Sequence, residues 1–291
     1  MPRALVVGPG SMLGRRLSER LRAAGWQVIG AGRSGDCEIP MELGGDALRT
    51  DFAGVEADVL FHCAAAFGDD SPEGAWLNDR VNLLGAHQVL ALARTAGCRH
   101  LVYAGSTSSA RREGEPFASS YGASKARAEE VLAWGLERGS QGFVSLRFAQ
   151  LYDEKGECVR HQRWFARIVS HARSGRVLRL PPGEAPRNFV HVQDAAALMV
   201  RAGEAGLSGV LPVCHPQSVS YLDIARQAYE VFGAGGGVEI AREKTPFRPA
   251  YFPPVAPEVM ALGLGFTPMA EGLRGIRDGG YAARFEVFDV V

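Results

Sequence analysis

The sequence predicts an α/β fold: a doubly wound, parallel Rossmann-type sheet with a smaller C-terminal lobe. Three observations predict it. Short apolar segments alternate with amphipathic, helix-forming ones up to residue 152, the pattern of strands buried under crossover helices. The first apolar segment runs into a glycine-rich turn, Gly8-Pro9-Gly10-Ser11-Met12-Leu13-Gly14, and then into helix formers, the setting a dinucleotide site requires. Farther on, Tyr121 and Lys125 stand four residues apart in a stretch of good helix formers, so both lie on one helical face.

Each element has a local reason. Residues 3–8 form the first strand, apolar through Ala4-Leu5-Val6-Val7 and ended by Gly8, and residues 15–24 form a helix. The glycines let the chain turn tightly and let a pyrophosphate approach the helix N-terminus, where free N–H groups favour anions. Gly8, Gly10, Ser11, Met12, Leu13 and Gly14 are therefore candidate cofactor-binding residues, with Gly14 also allowing close helix–strand packing. Residues 26–31 form the second strand and lead into Gly32-Arg33-Ser34. Gly32 stands where an NAD site carries Asp or Glu for the ribose hydroxyls. Arg33 with Ser34 suits the extra 2′-phosphate of NADP, against the alternative of an ordinary surface arginine. Glu42 and Leu43 fall near the adenine, and residues 45–52 read as a short helix.

Residues 57–63 form the next strand, followed by Ala64-Ala65-Ala66. Small residues there leave room for a cofactor crossing the sheet top, which makes Cys63, Ala64 and Ala65 candidates; His62 reads as a core histidine. Residues 74–96 read as one long helix with Val81, Leu84, Val89, Leu92 and Ala93 apolar; Asn82 within it can bond backbone or cofactor-site groups, with a structural role favoured. The strand at residues 100–104 runs into Gly105-Ser106-Thr107-Ser108-Ser109. A hydroxyl cluster just past a strand's C-terminal end faces the crevice where open α/β sheets bind ligands, so Ser106 and Thr107 are candidate substrate contacts as well as candidate turn caps. Residues 142–148 form a further strand, ending at Gln150 and Tyr152.

After Tyr152 the character changes. A stretch rich in Arg and aromatics (Arg160, His161, Arg163, Trp164, Phe165, Arg167) precedes the break Pro181-Pro182-Gly183. Residues 187–194 lead into a helix at 195–202, a strand at 209–213, a helix at 221–232 and a last helix near 269–277. The expected organisation is a dinucleotide-binding domain over residues 1–152, rejoined by 187–213, and a substrate lobe from 153–186 and 214–291. Guanidinium groups with aromatic faces suit an anionic, ring-containing ligand.

Composition narrows the function. Of 291 residues, 46% are hydrophobic and 22% charged, and 32 basic residues balance 32 acidic ones, which gives no support to wholesale nucleic-acid or acidic-membrane binding. No apolar run approaches the roughly 20 residues of a membrane span. Cys37, Cys63, Cys98, Cys158 and Cys214 are scattered and never in C-x-x-C spacing, which points away from a disulfide framework or a metal site and toward a reducing cytoplasm. No basic, apolar, small-residue leader opens the chain.

The chemistry centres on Tyr121. A cation beside a phenol favours the phenolate and can draw its pKa down from about 10, and a Tyr so tuned exchanges a proton with a hydroxyl or ketone. The whole set resembles the extended short-chain dehydrogenase/reductase family, NAD(P)-dependent nucleotide-sugar epimerases, dehydratases and ketoreductases. The resemblance rests on Gly8–Gly14, His62-Cys63-Ala64-Ala65, Val81-Asn82, Tyr121-x-x-x-Lys125, Leu146-Arg147-x-x-Gln150-x-Tyr152 and Arg187-x-Phe189-Val190-His191-Val192-x-Asp194. It implies Tyr121 as acid/base, Lys125 binding the nicotinamide ribose and tuning Tyr121, and Ser106 bonding the reacting oxygen. It further implies Arg187 at the sugar-nucleotide phosphates, Gln150 in place of a substrate-binding Asn, and a homodimer. Thr107-Ser108 stand where dehydratases carry Asp-Glu, which disfavours water elimination. The expected activity is hydride transfer at a sugar carbinol or ketone carbon, with NADP (NAD possible) and net ketone reduction favoured. The alternatives are an epimerase retaining NAD, a reductase of a non-sugar ketone, and a non-catalytic NADP sensor.

Overall fold

The computed structural model describes residues 1–45, 52, 54–111, 115–248 and 250–288. Of the short helix expected over 45–52, residues 46–51 lie outside that description. In chain order the elements are β1 (Arg3–Val7), α1 (Met12–Ala23), β2 (Gln27–Gly32), β3 (Ile39–Pro40), β4 (Val59–His62), α2 (Pro72–Asn78), a π-helical turn (Asp79–Leu84), α3 (Gly85–Thr95), β5 (His100–Ser106), α4 (Ser120–Glu137), β6 (Gly142–Phe148) and β7 (Gln150–Tyr152). They continue as α5 (Arg163–Ser174), β8 (Leu178–Leu180), β9 (Phe189–His191), α6 (Val192–Ala205), β10 (Gly209–Val213), α7 (Tyr221–Phe232), β11 (Val238–Ile240), α8 (Pro257–Met260) and α9 (Met269–Asp278).

The first compact unit comprises Met1–Phe148, Ala195–Val213 and Val255–Leu264. Its sheet has seven strands in the order β10-β6-β5-β4-β1-β2-β3, every pair parallel. From β1 the chain first winds outward through β2 and β3, then returns to the other side through β4, β5, β6 and β10. The reversal lies between β1 and β4, and the crevice outside their C-terminal ends is where such a sheet takes its ligand. The strands are apolar along their length because both faces are covered: Leu5, Leu60 and Leu101 are fully buried and pack with Leu92 of α3 and Leu132 of α4.

The second unit comprises Ala149–Asp194, Cys214–Pro254 and Gly265–Val291. Its strands form two small parallel pairs, β7 with β9 and β8 with β11. Tyr152, Phe165 and Phe189 pack ring on ring, at centroid separations of 5.2 Å for Tyr152–Phe165 and 5.4 Å for Phe165–Phe189. The unit boundaries depart from the expected ones in three places. Residues 149–152 and 187–194 leave the first unit because β7 and β9 pair with each other instead of joining the large sheet. Residues 255–264 join it, tied by Ala256 N–H donating to Pro212 O of β10 at 2.9 Å.

The long helix expected over 74–96 is interrupted. Its middle is a π-turn, an inserted residue of a kind that recurs at functional sites. The insertion shifts the helical face, so Leu84, expected among the apolar positions, is 50% exposed.

Candidate active site

The turn after β1 brings its glycines and small residues to the switch point. Gly8 takes a positive φ of 81°, and its N–H donates to Ala31 O at 2.9 Å. A Cβ on Gly8 would sit 2.7 Å from that of Ala64, at the end of β4. Ser11 stands midway between Gly8 and Gly14, and its role is plain in the geometry. It is the N-cap of α1 in extended conformation, its hydroxyl accepts from Gly14 N–H at 3.0 Å and donates to Gly8 O at 2.9 Å, and no positive φ is needed there. The space over Gly10 is open, with nothing within 4 Å of where a Cβ would stand. A bare backbone beneath open space at a helix N-terminus fits a pyrophosphate. Met12 and Leu13 open that helix, while Cys63, Ala64 and Ala65 line the facing strand end; Cys63 N–H donates to Val7 O at 2.9 Å. These residues fit a nicotinamide dinucleotide.

At the end of β2, Arg33 and Ser34 are exposed, and the Ser34 hydroxyl lies 3.1 Å from Cys37 Sγ. A carboxylate is present nearby after all. Glu38 Oε2 accepts from Gly30 N–H at 2.7 Å. Spacing along the chain gave no sign of it, because Glu38 follows the strand by six residues and returns through the turn at 34–37.

Ser106, Tyr121 and Lys125 come together at the C-terminal end of β5 and the first turns of α4. The approach of these two elements depends on Gly122, where a Cβ would meet Ser108 O at 2.2 Å. Ser119 caps α4 by accepting from Gly122 N–H. Ser108 N–H donates to Ser106 Oγ at 3.1 Å, and the Ser106 hydroxyl stands close enough to the Tyr121 phenol to favour its ionised form. Thr107 is half-buried in the following turn. Lys125 is 2% exposed; its Nζ donates to Ala104 O at 2.8 Å and sits 4.0 Å from the centre of the Tyr103 ring.

One expectation about this group is corrected. Lys125 does not lower Tyr121 with the surroundings the chain itself supplies: burial pushes the Tyr121 phenol up to about 12, opposed by the Ser106 hydrogen bond. Burial also drives Lys125 down to about 7, with Glu129 and then Cys63 acting in the other direction. Desolvation thus outweighs the mutual effect that spacing suggests. His62 is buried, pushed down to about 3 by burial and then by Lys125, and stacks on Tyr103 at 5.2 Å. It is a neutral core histidine.

Two further groups support this centre, and of their residues the sequence reading singled out Asn82, as a structural residue able to bond backbone. Glu129, one turn beyond Lys125, accepts from Arg147 Nη2 at 2.5 Å, Arg147 Nε at 3.2 Å and the Ser145 hydroxyl. Asn78 and Asn82 form a ladder. Asn82 accepts from Ala66 N–H at 2.8 Å and donates to Ala66 O and to Ser124 Oγ, both at 3.0 Å. Asn78 does the same at Gly68 (2.7 and 3.1 Å) and Ser120 (3.0 Å). The matching i, i+4 spacings of 78/82 and 120/124 were the available signal. The ladder fastens the loop after β4 to the helix that carries Tyr121.

Gln150 and Arg187 belong to the second unit. Gln150 Nε2 donates to Gln162 Oε1 at 2.9 Å, and its own Oε1 is buried with no donor among the described residues. The Arg187 guanidinium lies over the rings of Tyr221 (5.1 Å) and Phe247 (5.5 Å) and donates to Pro186 O and Arg248 O.

A doubly wound sheet with this turn at its switch point and a Ser–Tyr–Lys group beside it defines an NAD-dependent enzyme of the short-chain dehydrogenase/reductase type. The sequence profile of the NAD dependent epimerase/dehydratase family matches residues 4–212, and the chain belongs to that family. It is 30% identical over 223 residues to a 2-alkyl-3-oxoalkanoate reductase of Stenotrophomonas maltophilia, across 69% of this chain and 65% of that protein. An uncharacterized Mycobacterium tuberculosis protein is 31% identical over 211 residues, of which the match spans 20%. The chain thus covers less than two thirds of either relative's length. In fold it is similar to the UDP-N-acetylglucosamine 4-epimerase of Bacillus cereus (TM-score 0.78, 20% identity, 95% of this chain and 98% of that one). It is likewise similar to the Thermus thermophilus UDP-glucose 4-epimerase complexed with NAD (TM-score 0.73, 24% identity, 97% and 99%). No described helix is long and apolar enough to cross a membrane.

Proposed function

We propose that this chain transfers hydride between a nicotinamide cofactor and a carbinol or ketone carbon of a nucleotide-linked sugar or similar polyol, with net ketone reduction favoured. The observation that carries the reading is the juxtaposition of Ser106, Tyr121 and Lys125 beside a turn that fits a dinucleotide. The cofactor, when bound, supplies the hydride to the carbonyl carbon. Tyr121 donates the proton to the carbonyl oxygen, and the phenolate left behind regains one from solvent. Ser106 orients that oxygen with its hydroxyl, and charged Lys125 stabilises the phenolate while it lasts. Gly8, Gly10, Ser11, Met12, Leu13, Gly14, Cys63, Ala64 and Ala65 hold the dinucleotide, and Arg33 with Ser34 favours NADP. Support for a sugar-nucleotide comes from fold neighbours that act on UDP-linked sugars and from the arginine-over-aromatics arrangement at Arg187. The second unit is then the substrate lobe, with Thr107 and Gln150 as further contacts, and the assembly is a homodimer, which sedimentation tests.

A second reading, reduction of a non-sugar ketone, is favoured by the similarity to the Stenotrophomonas reductase. Titration of the purified protein with NADPH and NADH, after assay for bound nucleotide, separates the cofactor readings. Exchangeable NADPH bound more tightly than NADH supports reduction; retained NAD points to an epimerase; binding of neither ends the proposal. Arg187→Ala then separates the substrates: an unchanged KM rejects a phosphate-bearing one.

A further inference from the structure

Lys125 and Glu129 lie one helical turn apart on α4, and both are buried, at 2% and 4% exposure. Each reaches a different strand of the sheet beneath. Lys125 Nζ donates to Ala104 O of β5, whereas the Glu129 carboxylate accepts from two nitrogens of Arg147 and from the Ser145 hydroxyl, both on β6. Ser145 and Arg147 are two residues apart, so they share a face of their strand, and they stand beside Tyr103 and Gly105 of β5. Gly105 keeps that place clear: a Cβ there would overlap the Ser145 hydroxyl oxygen and come within 3.3 Å of Arg147 Cγ. An apolar side chain packed on β6 would tie the helix to the sheet as well, since replacing a buried ion pair by apolar residues is often neutral or stabilising. The other titratable groups around Lys125 are neutral near pH 7. On α4, burial pushes the Tyr121 phenol up to about 12. At the end of β4 it pushes the Cys63 thiol up to about 12 and the His62 imidazole down to about 3, and on β5 it holds the Tyr103 phenol well above its ordinary range. The charged pair beside Lys125 is Glu129 with Arg147, and of the two it is Glu129 that acts on Lys125, favouring its charged form against burial.

We propose that Glu129 is a positioning residue for the hydride-transfer reaction: held by Arg147 and Ser145, its carboxylate keeps the Lys125 ammonium charged beside Tyr121. The inference rests on the reading above, which gives charged Lys125 the task of stabilising the phenolate, and it names what sustains that charge in a buried place. Glu129 acts through Lys125 alone. The face of the Tyr103 ring, 4.0 Å from Nζ, and Ala104 O also favour an ammonium, but both are dipolar partners. A full negative charge fixed one turn away acts more strongly where water is excluded. Removing such a charge moves a titration by about one pH unit, so at pH 7 the charged fraction of Lys125 would fall about fivefold.

The lysines of the chain are Lys125, Lys155 and Lys244, so NMR of the full chain labelled at lysine Cε follows each titration separately, with the other two as controls. Glu129→Gln keeps the shape and an acceptor oxygen but not the charge. It is expected to lower the Lys125 midpoint by about one pH unit while Lys155 and Lys244 stay in place, and Glu129→Asp, which keeps the charge, should recover most of the difference. A carboxylate that merely tied helix to sheet would change Tm and leave the midpoint alone, so a midpoint within about 0.3 unit of wild type overturns the proposal. If Glu129→Gln does not fold, Arg147→Gln takes its place. It leaves the carboxylate without its guanidinium and must raise the Lys125 midpoint; an unchanged or lower midpoint overturns the proposal. Kinetics give a separate readout: the pH above which kcat/KM for ketone reduction declines should move down with the midpoint in Glu129→Gln. If the midpoint moves and the kinetic profile does not, or if wild type reduces no ketone, the hydride-transfer reading fails while the link from Glu129 to Lys125 stands.

Discussion

Asn82→Ala puts the asparagine ladder under the most direct strain. The side chain makes three hydrogen bonds, and its removal leaves two main-chain groups, Ala66 N–H and Ala66 C=O, without their partners. Ser124 suffers less, because its hydroxyl still donates to Tyr121 O at 2.9 Å. An unpaired buried polar group costs about 1–3 kcal/mol, and Ala66 is only half-buried, so the lower end applies to each. The expected loss is about 2–3 kcal/mol, which for a chain of this size lowers Tm by roughly 4–12 °C. If the loss is local, exchange of the Ala66 amide should accelerate about 30-fold or more, since each 1.4 kcal/mol is a factor of ten. Thermal unfolding and amide hydrogen exchange measure the two effects, and cofactor affinity should weaken with them because Ala64 and Ala65 lie in the same loop. A Tm within 1 °C of wild type with unaltered exchange at Ala66 would refute the reasoning.

Other outcomes follow from the same geometry. Tyr121→Phe should lower kcat by about 10²–10⁴ with cofactor binding retained, measured by steady-state kinetics and fluorescence titration; full turnover would remove Tyr121 from proton transfer. Lys125 is charged only below about pH 7, so kcat/KM for ketone reduction should decline as pH rises through that value, and a profile flat to pH 9 would contradict it. His62 titrates at about 3 in the fold against 6.5 otherwise, so the unfolded chain binds the extra proton between those values. The stability it contributes is full above pH 6.5 and lost toward pH 3, at a slope of at most about 1.4 kcal/mol per pH unit; urea midpoints of His62→Phe should show that slope removed. Arg33→Ala should raise the Kd for NADPH about tenfold or more while leaving NADH within twofold.

Legibility differed sharply between elements. The doubly wound sheet could be read because its inner strands are apolar on both faces and β1, β4 and β5 run into small-residue turns, so pattern and burial agree, whereas β3, two residues long, gave no such pattern. Tyr121 and Lys125 could be placed on one face because helical spacing is a local property. Their ionisation could not, since desolvation depends on Tyr103, Ala104 and Cys63, which arrive from other strands. Glu38 and Asn78 escaped for the same reason: each acts on a segment it meets only in the fold, and the i, i+4 spacing of Asn78 with Asn82 has meaning only beside the matching pair Ser120 and Ser124. The β7–β9 pairing was missed because three-residue strands carry too little periodicity to reveal which sheet they join.

The π-turn at Asp79–Leu84 has a consequence for how this chain tolerates change in length. Asn78 and Asn82 lie at the start of and within that widened stretch, and both reach the same loop and the same facing helix. Their phase about the helix axis is therefore set by the inserted residue. Deleting any one of residues 79–81 would bring Asn78 and Asn82 from four residues apart to three, while their partners Ser120 and Ser124 stay four apart on α4, so the two rungs could no longer both be in register. A deletion of one residue in this helix would unlatch half the ladder, whereas a point substitution at an exposed position of the same turn leaves both rungs in place.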